Sequence, residues 1–155
     1  MGFATLSVKG RALRWLAQRE HSRLELERKL ARHVQDTPEA SAAAQIARAL
    51  DELAALGYLS EARVAESVLA AEAPRAGARR LRQLLQAKGL APELVTQSLQ
   101  QVRGSELDRA RALWQRRFGA CAADPREQAR QVRFLAGRGF DGEIIRLVVR
   151  GLPEE

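Results

Sequence analysis

Apolar, helix-patterned stretches of this chain end again and again in glycine, at Gly57, Gly89, Gly104, Gly119, Gly139 and Gly151, and serine, aspartate or proline follows within a few residues. Glycine supplies the left-handed stop of a helix. Serine and aspartate cap the next helix, and proline suits its first position. A chain punctuated this often can build only short helices joined by brief connections. Its β-branched residues are scattered, and no apolar alternation lasts long enough for a strand. The expected class is all-α.

The punctuation predicts nine helices. The first runs from about Gly10 to Arg19, with Leu13, Leu16 and Trp15 inward. Ser22-Arg23-Leu24-Glu25 reads as a capping box for the second, which carries Leu26 and Leu30. Thr37-Pro38 is read as the start of the third, with Ile46, Leu50, Leu53 and Leu56 at helical spacing. Ser60 opens the fourth, which fades at Pro74. The fifth spans Ala78 to Lys88 and the sixth starts at Pro92. Ser105 with Asp108 is read as the cap of the seventh. Asp124-Pro125-Arg126-Glu127 opens the eighth and Asp141 caps the ninth, in which Ile144, Ile145, Val148 and Val149 point inward.

Nine short helices suggest three tandem three-helix modules, at 1–59, 60–104 and 105–155, forming an elongated, helix-turn-helix-like solenoid. Leu85-Gln86-Ala87-Lys88-Gly89-Leu90 and Leu135-Ala136-Gly137-Arg138-Gly139-Phe140 share the pattern apolar, two variable, basic, glycine, apolar, at an offset of 50 residues. A module this small buries little alone, so stability is expected to come partly from its neighbours.

Chemistry has little to work with. The histidines are His21 and His33 only, Cys121 is the single cysteine, and no glycine-rich phosphate loop or nucleophile elbow is present. An enzyme, a cysteine-based metal site and an intramolecular disulfide are therefore set aside, and no cofactor is expected. His33 is read as a helix-end residue, Cys121 as a small apolar filler, and Tyr58, Trp15 and Trp114 as core. With no membrane-length apolar run and no signal-peptide layout at the start, a soluble cytoplasmic monomer is expected.

Net charge is +7, with 23 arginines against 3 lysines. Such a balance favours anionic partners, and guanidinium forks suit phosphate and carboxylate. The stretch Pro74 to Pro92 holds Arg75, Arg79, Arg80, Arg82 and Lys88 with no acidic residue. On a helix, Arg75, Arg79 and Arg82 share one face. Arg126, Arg130 and Arg133 repeat the same spacing on the eighth helix, with Arg138 near its end. A solvated face is the ordinary explanation of one such stripe; two on equivalent helices favour a shared anion-facing surface.

Arg19-Glu20-His21-Ser22 with Glu25-Leu26 and Lys29-Leu30, then Leu56-Gly57-Tyr58-Leu59-Ser60-Glu61-Ala62-Arg63, resemble the first module of the RecX family. Gly77, Arg80-Leu81, Leu85 and Lys88-Gly89-Leu90 are similar to its second module. Phe134-Leu135, Arg138-Gly139-Phe140 and Ile144 are similar to its third. Val64, where the family often has an aromatic residue, and Arg32-His33, in place of a basic-glycine end, depart from the pattern.

The resemblance implies a non-catalytic regulator that binds the RecA recombinase, usually as a filament on single-stranded DNA, and restrains it from along the filament groove. Arg80, Lys88 and Arg138 are the basic positions inside matched motifs, and Arg80 and Lys88 have an equally good structural explanation. The rival reading is a DNA-binding transcriptional or architectural protein acting through basic helices, favoured by the high pI and the turn between Gly89 and Pro92. A plain helical adaptor for an acidic protein is the third.

Overall fold

In the computed structural model, which describes residues 5–151, nine α-helices and one 3-10 turn account for the regular structure, with no strand among the described residues. The chain divides into two compact units, Met1–Val64 with Lys88–Leu90, and Ala65–Ala87 with Ala91–Glu155.

Unit 1 is built on α1 (Val8–Leu16), α2 (Arg23–Ala31) and α3 (Ala42–Ala55), and takes in the first turn of α4 (Glu61–Glu72). Ser7 Oγ accepts the Gly10 N–H at 3.0 Å, so α1 starts and ends earlier than its pattern suggests. The capping box of α2 forms as expected: Ser22 Oγ accepts the Glu25 N–H and the Glu25 carboxylate accepts the Ser22 N–H. The third helix departs from expectation. It begins at Ala42 under a Ser41 cap, and Asp36 Oδ1 accepts the Ala42 N–H at 2.6 Å. Thr37 instead closes a local turn, its hydroxyl bonding both the N–H and the carbonyl of Ala40.

The core of unit 1 is Ala12, Leu26, Leu30, Ile46, Leu50, Leu53 and Leu59, with Trp15 and Leu16 packed against it. Arg23 ties α2 to α3 through Asp51 at 2.8 Å. Tyr58, expected in the core, is 54% exposed, because the left-handed Gly57 turns the chain outward there.

Unit 2 holds the 3-10 turn Ala73–Arg75, α5 (Ala78–Ala87), α6 (Pro92–Arg103), α7 (Glu106–Arg117), α8 (Pro125–Gly137) and α9 (Gly142–Arg150). Its core gathers Ala110, Leu113, Trp114, Leu135, Phe140, Ile145, Val148 and Val149. Trp114 Nε1 donates to the buried Gln131 side chain at 2.9 Å, and Gln131 Nε2 donates to the Ala120 carbonyl, so both of these side chains are partnered. Asp124 caps α8 as expected, accepting the Glu127 N–H at 2.8 Å. Neither Ser105 nor Asp141 makes a side-chain cap bond. Ser105 donates back to the Val102 carbonyl and receives Arg109 Nε, because only a tight turn separates α6 from α7. Cys121 is exposed in the connection after α7 and fills no core position.

Each unit contains the same junction, and it explains the repeated basic-glycine-apolar motif. In unit 1, Lys88-Gly89-Leu90 lies on the first turn of α2: a Cβ on Gly89 would stand 2.8 Å from the Leu24 side chain, and Lys88 Nζ meets Glu25 at 2.9 Å. In unit 2, Arg138-Gly139-Phe140 lies on the first turn of α5. There the Arg138 and Gly139 carbonyls accept the N–H groups of Gly77 and Arg79 at 2.9 and 3.1 Å. A glutamate at the first position of another helix completes each junction. Glu61 accepts the Arg23 N–H at 2.8 Å, and Glu106 accepts the Ala78 N–H at 3.0 Å. Helix starts leave unpaired donors and carry partial positive charge, so a carboxylate or a run of carbonyls is what they require.

Candidate functional site

The basic residues picked out along the sequence fall into three structural settings. Lys88 is engaged inside unit 1 by Glu25, whose carboxylate also accepts from Arg19 and from the Ser22 N–H. Burial alone would raise the Glu25 pKa, but these three donors outweigh it and hold the group at about 2. Arg79, Arg80 and Arg82 are exposed on α5 and make no ion pair among the described residues. The backbones of Arg79 and Arg80 belong to the junction with Gly139, whereas Arg82 lies beside Thr96, Gln100, Arg103 and Asp141 in a depression of mixed charge. Arg126 and Arg133 are exposed on α8.

The third setting is an open groove of about 520 Å³ in unit 2, lined by Pro74, Arg75, Leu113, Arg116, Arg117, Phe134 and Arg138. It brings together Arg75 and Arg138, from the two stripes, with Arg116 and Arg117, which the sequence reading passed over. The last turn of α7 supplies Arg116 and Arg117, where the helix dipole favours cations. The 3-10 turn carries Arg75, and the end of α8 carries Arg138.

No carboxylate lines this groove. Glu72, at 4.0 Å from Arg75, is the one acidic side chain paired with any of its four arginines among the described residues. The guanidiniums of Arg117 and Arg138 lie over the Phe134 ring, 5.6 and 5.4 Å from its centre. Phe134 meets Phe118 edge-on at 5.4 Å, and Arg130 lies over Phe118 at 5.7 Å. A guanidinium beside an aromatic ring is attracted to its face and is more weakly hydrated than an ammonium, and its forked N–H donors suit planar anionic groups. The nearest sequence signal is the adjacency of arginine and phenylalanine in Arg117-Phe118 and Arg133-Phe134.

The structure also accounts for the residues that carry the family resemblance in unit 1. His21 is buried, its Nδ1–H donating to the Arg19 carbonyl at 3.0 Å and its Nε2 accepting from Lys29 at 2.9 Å. Desolvation lowers its pKa, and the carbonyl bond only partly opposes this. Glu20 pairs with Arg63, which also donates to the Gly57 and Tyr58 carbonyls. Arg19, Glu20, His21, Ser22, Glu25, Lys29, Glu61 and Arg63 are thus struts within unit 1. His33 follows the end of α2 and lies 6.0 Å from Trp15.

Comparison with known proteins agrees with this assignment of the motifs. The regulatory protein RecX of Leptothrix cholodnii is 52% identical over 145 residues, covering 94% of this chain and 88% of its own. That of Ralstonia nicotianae is 42% identical over 146 residues, with the same coverage of both chains. The chain belongs to the RecX family. A family model described as RecX, third three-helix domain, matches residues 105–149. The crystal structure of RecX from Lactobacillus salivarius has the same fold, with a TM-score of 0.75 over 92% of each chain at 18% identity. A second crystal structure, of regulatory protein RecX, gives 0.74 over 93% of this chain and 72% of the other.

The fold is therefore the all-α RecX fold with three-helix domains, and the chain is a regulatory protein rather than an enzyme. Among the described residues no helix is long and apolar enough to cross a membrane, and no group of His, Cys, Asp or Glu could hold a metal ion.

Proposed function

We propose that this RecX-family chain binds the RecA recombinase, mainly as the filament on single-stranded DNA, and inhibits its recombinase, ATPase and coprotease activities. Membership of a family of regulatory proteins, at 52% identity over nearly the whole chain, carries the reading. The protein acts as a cytoplasmic monomer built of modules at 1–59, 60–104 and 105–155, laid along the filament groove. Its contacts are drawn from Arg75, Arg79, Arg80, Arg82, Lys88, Arg126, Arg130, Arg133 and Arg138. Unit 2 supports this by placing Arg75 and Arg138 in one groove without carboxylates, and by leaving Arg79, Arg82 and Arg126 exposed. Many modest contacts along a polymer combine through effective concentration, so no single arginine has to dominate.

ATP hydrolysis by RecA on single-stranded DNA, titrated with the protein, tests this. The wild-type chain should lower the rate. A folded Arg79→Glu/Arg82→Glu/Arg130→Glu variant should need at least about tenfold more protein, because several charge-assisted contacts are reversed at once. An unaffected rate with the wild type would remove the RecA reading. Equal inhibition by the variant would make the stripes solvated faces.

A further inference from the structure

Of the two histidines, His33 is exposed, whereas His21 is 1% exposed and has both ring nitrogens engaged. The Nδ1–H of His21 is fixed on the Arg19 carbonyl at 3.0 Å, so the lone pair is at Nε2, where the Lys29 ammonium donates to it at 2.9 Å. The same ammonium lies over the Trp15 ring, 5.1 Å from its centre. One lysine on α2 thus joins the α1–α2 connection to a ring on α1, and the joint exists only while the imidazole is neutral. A proton can enter this ring only at Nε2, where it would face an ammonium with no acceptor between them.

No carboxylate is free to relieve that conflict. The charges acting on the ring are those of Arg19, Lys29 and Glu25, and Glu25 is already shared by Arg19, Lys88 and the Ser22 N–H. Glu20, the neighbour of His21 in the chain, is held by Arg63 of α4. His33, 6.0 Å from the Trp15 ring, can add only positive charge. Burial opposes the imidazolium most, and the Arg19 and Lys29 charges oppose it further, so the ring takes its proton below the ordinary 6.5. A half-buried lysine, however, can swing its ammonium into water on a flexible stem.

We propose that His21 and Lys29 form a proton-operated latch in unit 1: a proton on His21 expels Lys29 from the Trp15 face and loosens the α1–α2 connection while the chain stays folded. The Nδ1–H is present in both states, so the ring keeps its bond to the Arg19 carbonyl. Helix α2 keeps its capping box and the Arg23–Asp51 pair, neither of which uses His21. A histidine suits such a device because small changes around neutrality reverse its charge. The latch is a property of the free protein and does not depend on the RecA reading.

With two histidines and two tryptophans, single substitutions assign the NMR signals that test this on the full chain. A titration from about pH 8 to about pH 5 follows the histidine ring C–H and tryptophan indole N–H signals, with circular dichroism for helix content. The Trp15 indole should move with the midpoint of His21, that of Trp114 should stay still, and helix content should hold through the same range. Lys29→Gln offers an amide that can donate to the neutral ring and accept from the charged one. It should raise the His21 midpoint and leave Trp15 without a response. His33→Gln should change neither.

A Trp15 signal that stays flat while His21 titrates would overturn the latch, and the wild-type chain alone gives that answer if a variant does not fold. An unaltered His21 midpoint in folded Lys29→Gln would remove Lys29 as the partner. Loss of the Trp15 response in His33→Gln would assign it to the exposed ring instead. Helix loss with the same midpoint as His21 would mean that the proton unfolds the chain and operates no latch.

Discussion

Gly139 shows how much one missing side chain can carry. Its φ is +82°, and a Cβ there would lie 2.5 Å from the Arg80 nitrogen, inside the junction on α5. Gly139→Ala therefore combines backbone strain with a clash against main chain and should cost about 3 kcal/mol or more. Gly57 has the same φ with nothing within 4 Å of the added carbon. Gly57→Ala should cost only about 1 kcal/mol, from the left-handed conformation alone. Urea unfolding of the two variants separates steric from conformational cost; equal losses would mean that the close approach at Gly139 is not used.

Arg109 is a second such residue. Its guanidinium donates to the Ala73, Ala76 and Val102 carbonyls and its Nε to Ser105, so it holds the 3-10 turn to the end of α6. Desolvation lowers its pKa and nearby Glu106 opposes this, but an arginine stays charged at any working pH. A lysine cannot reach these acceptors in forked geometry. Arg109→Lys should lose about 2 kcal/mol in the same assay; no loss would show that the carbonyls find other donors.

Glu25 and His21 set the response of unit 1 to acid. Glu25, held at about 2 against an ordinary 4.5, binds its proton more weakly folded than unfolded. Its contribution is complete above about pH 4.5 and is lost as pH falls toward 2. His21 is also depressed, from 6.5, so protonation favours the unfolded chain as pH drops below that value. Both act in one direction. Urea midpoints should fall between pH 7 and pH 3, and the fall should be smaller in Glu25→Gln. An unchanged midpoint in the wild type would contradict the ion-pair account.

At the scale of elements, sequence logic succeeds where a helix end is satisfied by its immediate neighbours. Ser22 with Glu25, Asp124 with Glu127, and the left-handed Gly89 all lie where local patterning places them. It fails where alternatives compete within a few residues. Thr37-Pro38 has the chemistry of a helix start, yet Asp36 and Ser41 together satisfy the first turn of α3 better. Ser41→Ala should therefore cost about 1 kcal/mol. Thr37→Ala should cost less than half of that, as it opens only an exposed turn. Thermal unfolding of the pair checks the order, and the reverse order would return the helix start to Thr37-Pro38. Glu61 and Glu106 were beyond local reading altogether, because the N–H groups they receive are 38 and 28 residues away in sequence.

At the scale of the whole molecule, the family was legible because its motif residues are the struts of unit 1 and the junctions of both units, and such residues leave a fixed order in the chain. The groove was legible only in half. Arg75 and Arg138 stood out as members of stripes, but Arg116 and Arg117 reach the same place from α7, and no period in the sequence links that helix end to a 3-10 turn and the end of α8. Charge that converges in space from three elements has no linear signature. The Arg–Phe pairs were the nearest thing to one.

Co-sedimentation with RecA–single-stranded DNA filaments at moderate salt, with naked DNA and RecA alone as controls, tests the proposed action of this RecX-family protein on RecA assembled on DNA. The protein should pellet chiefly with the filament. Pelleting with naked DNA to the same extent, with nothing gained from RecA, would contradict it.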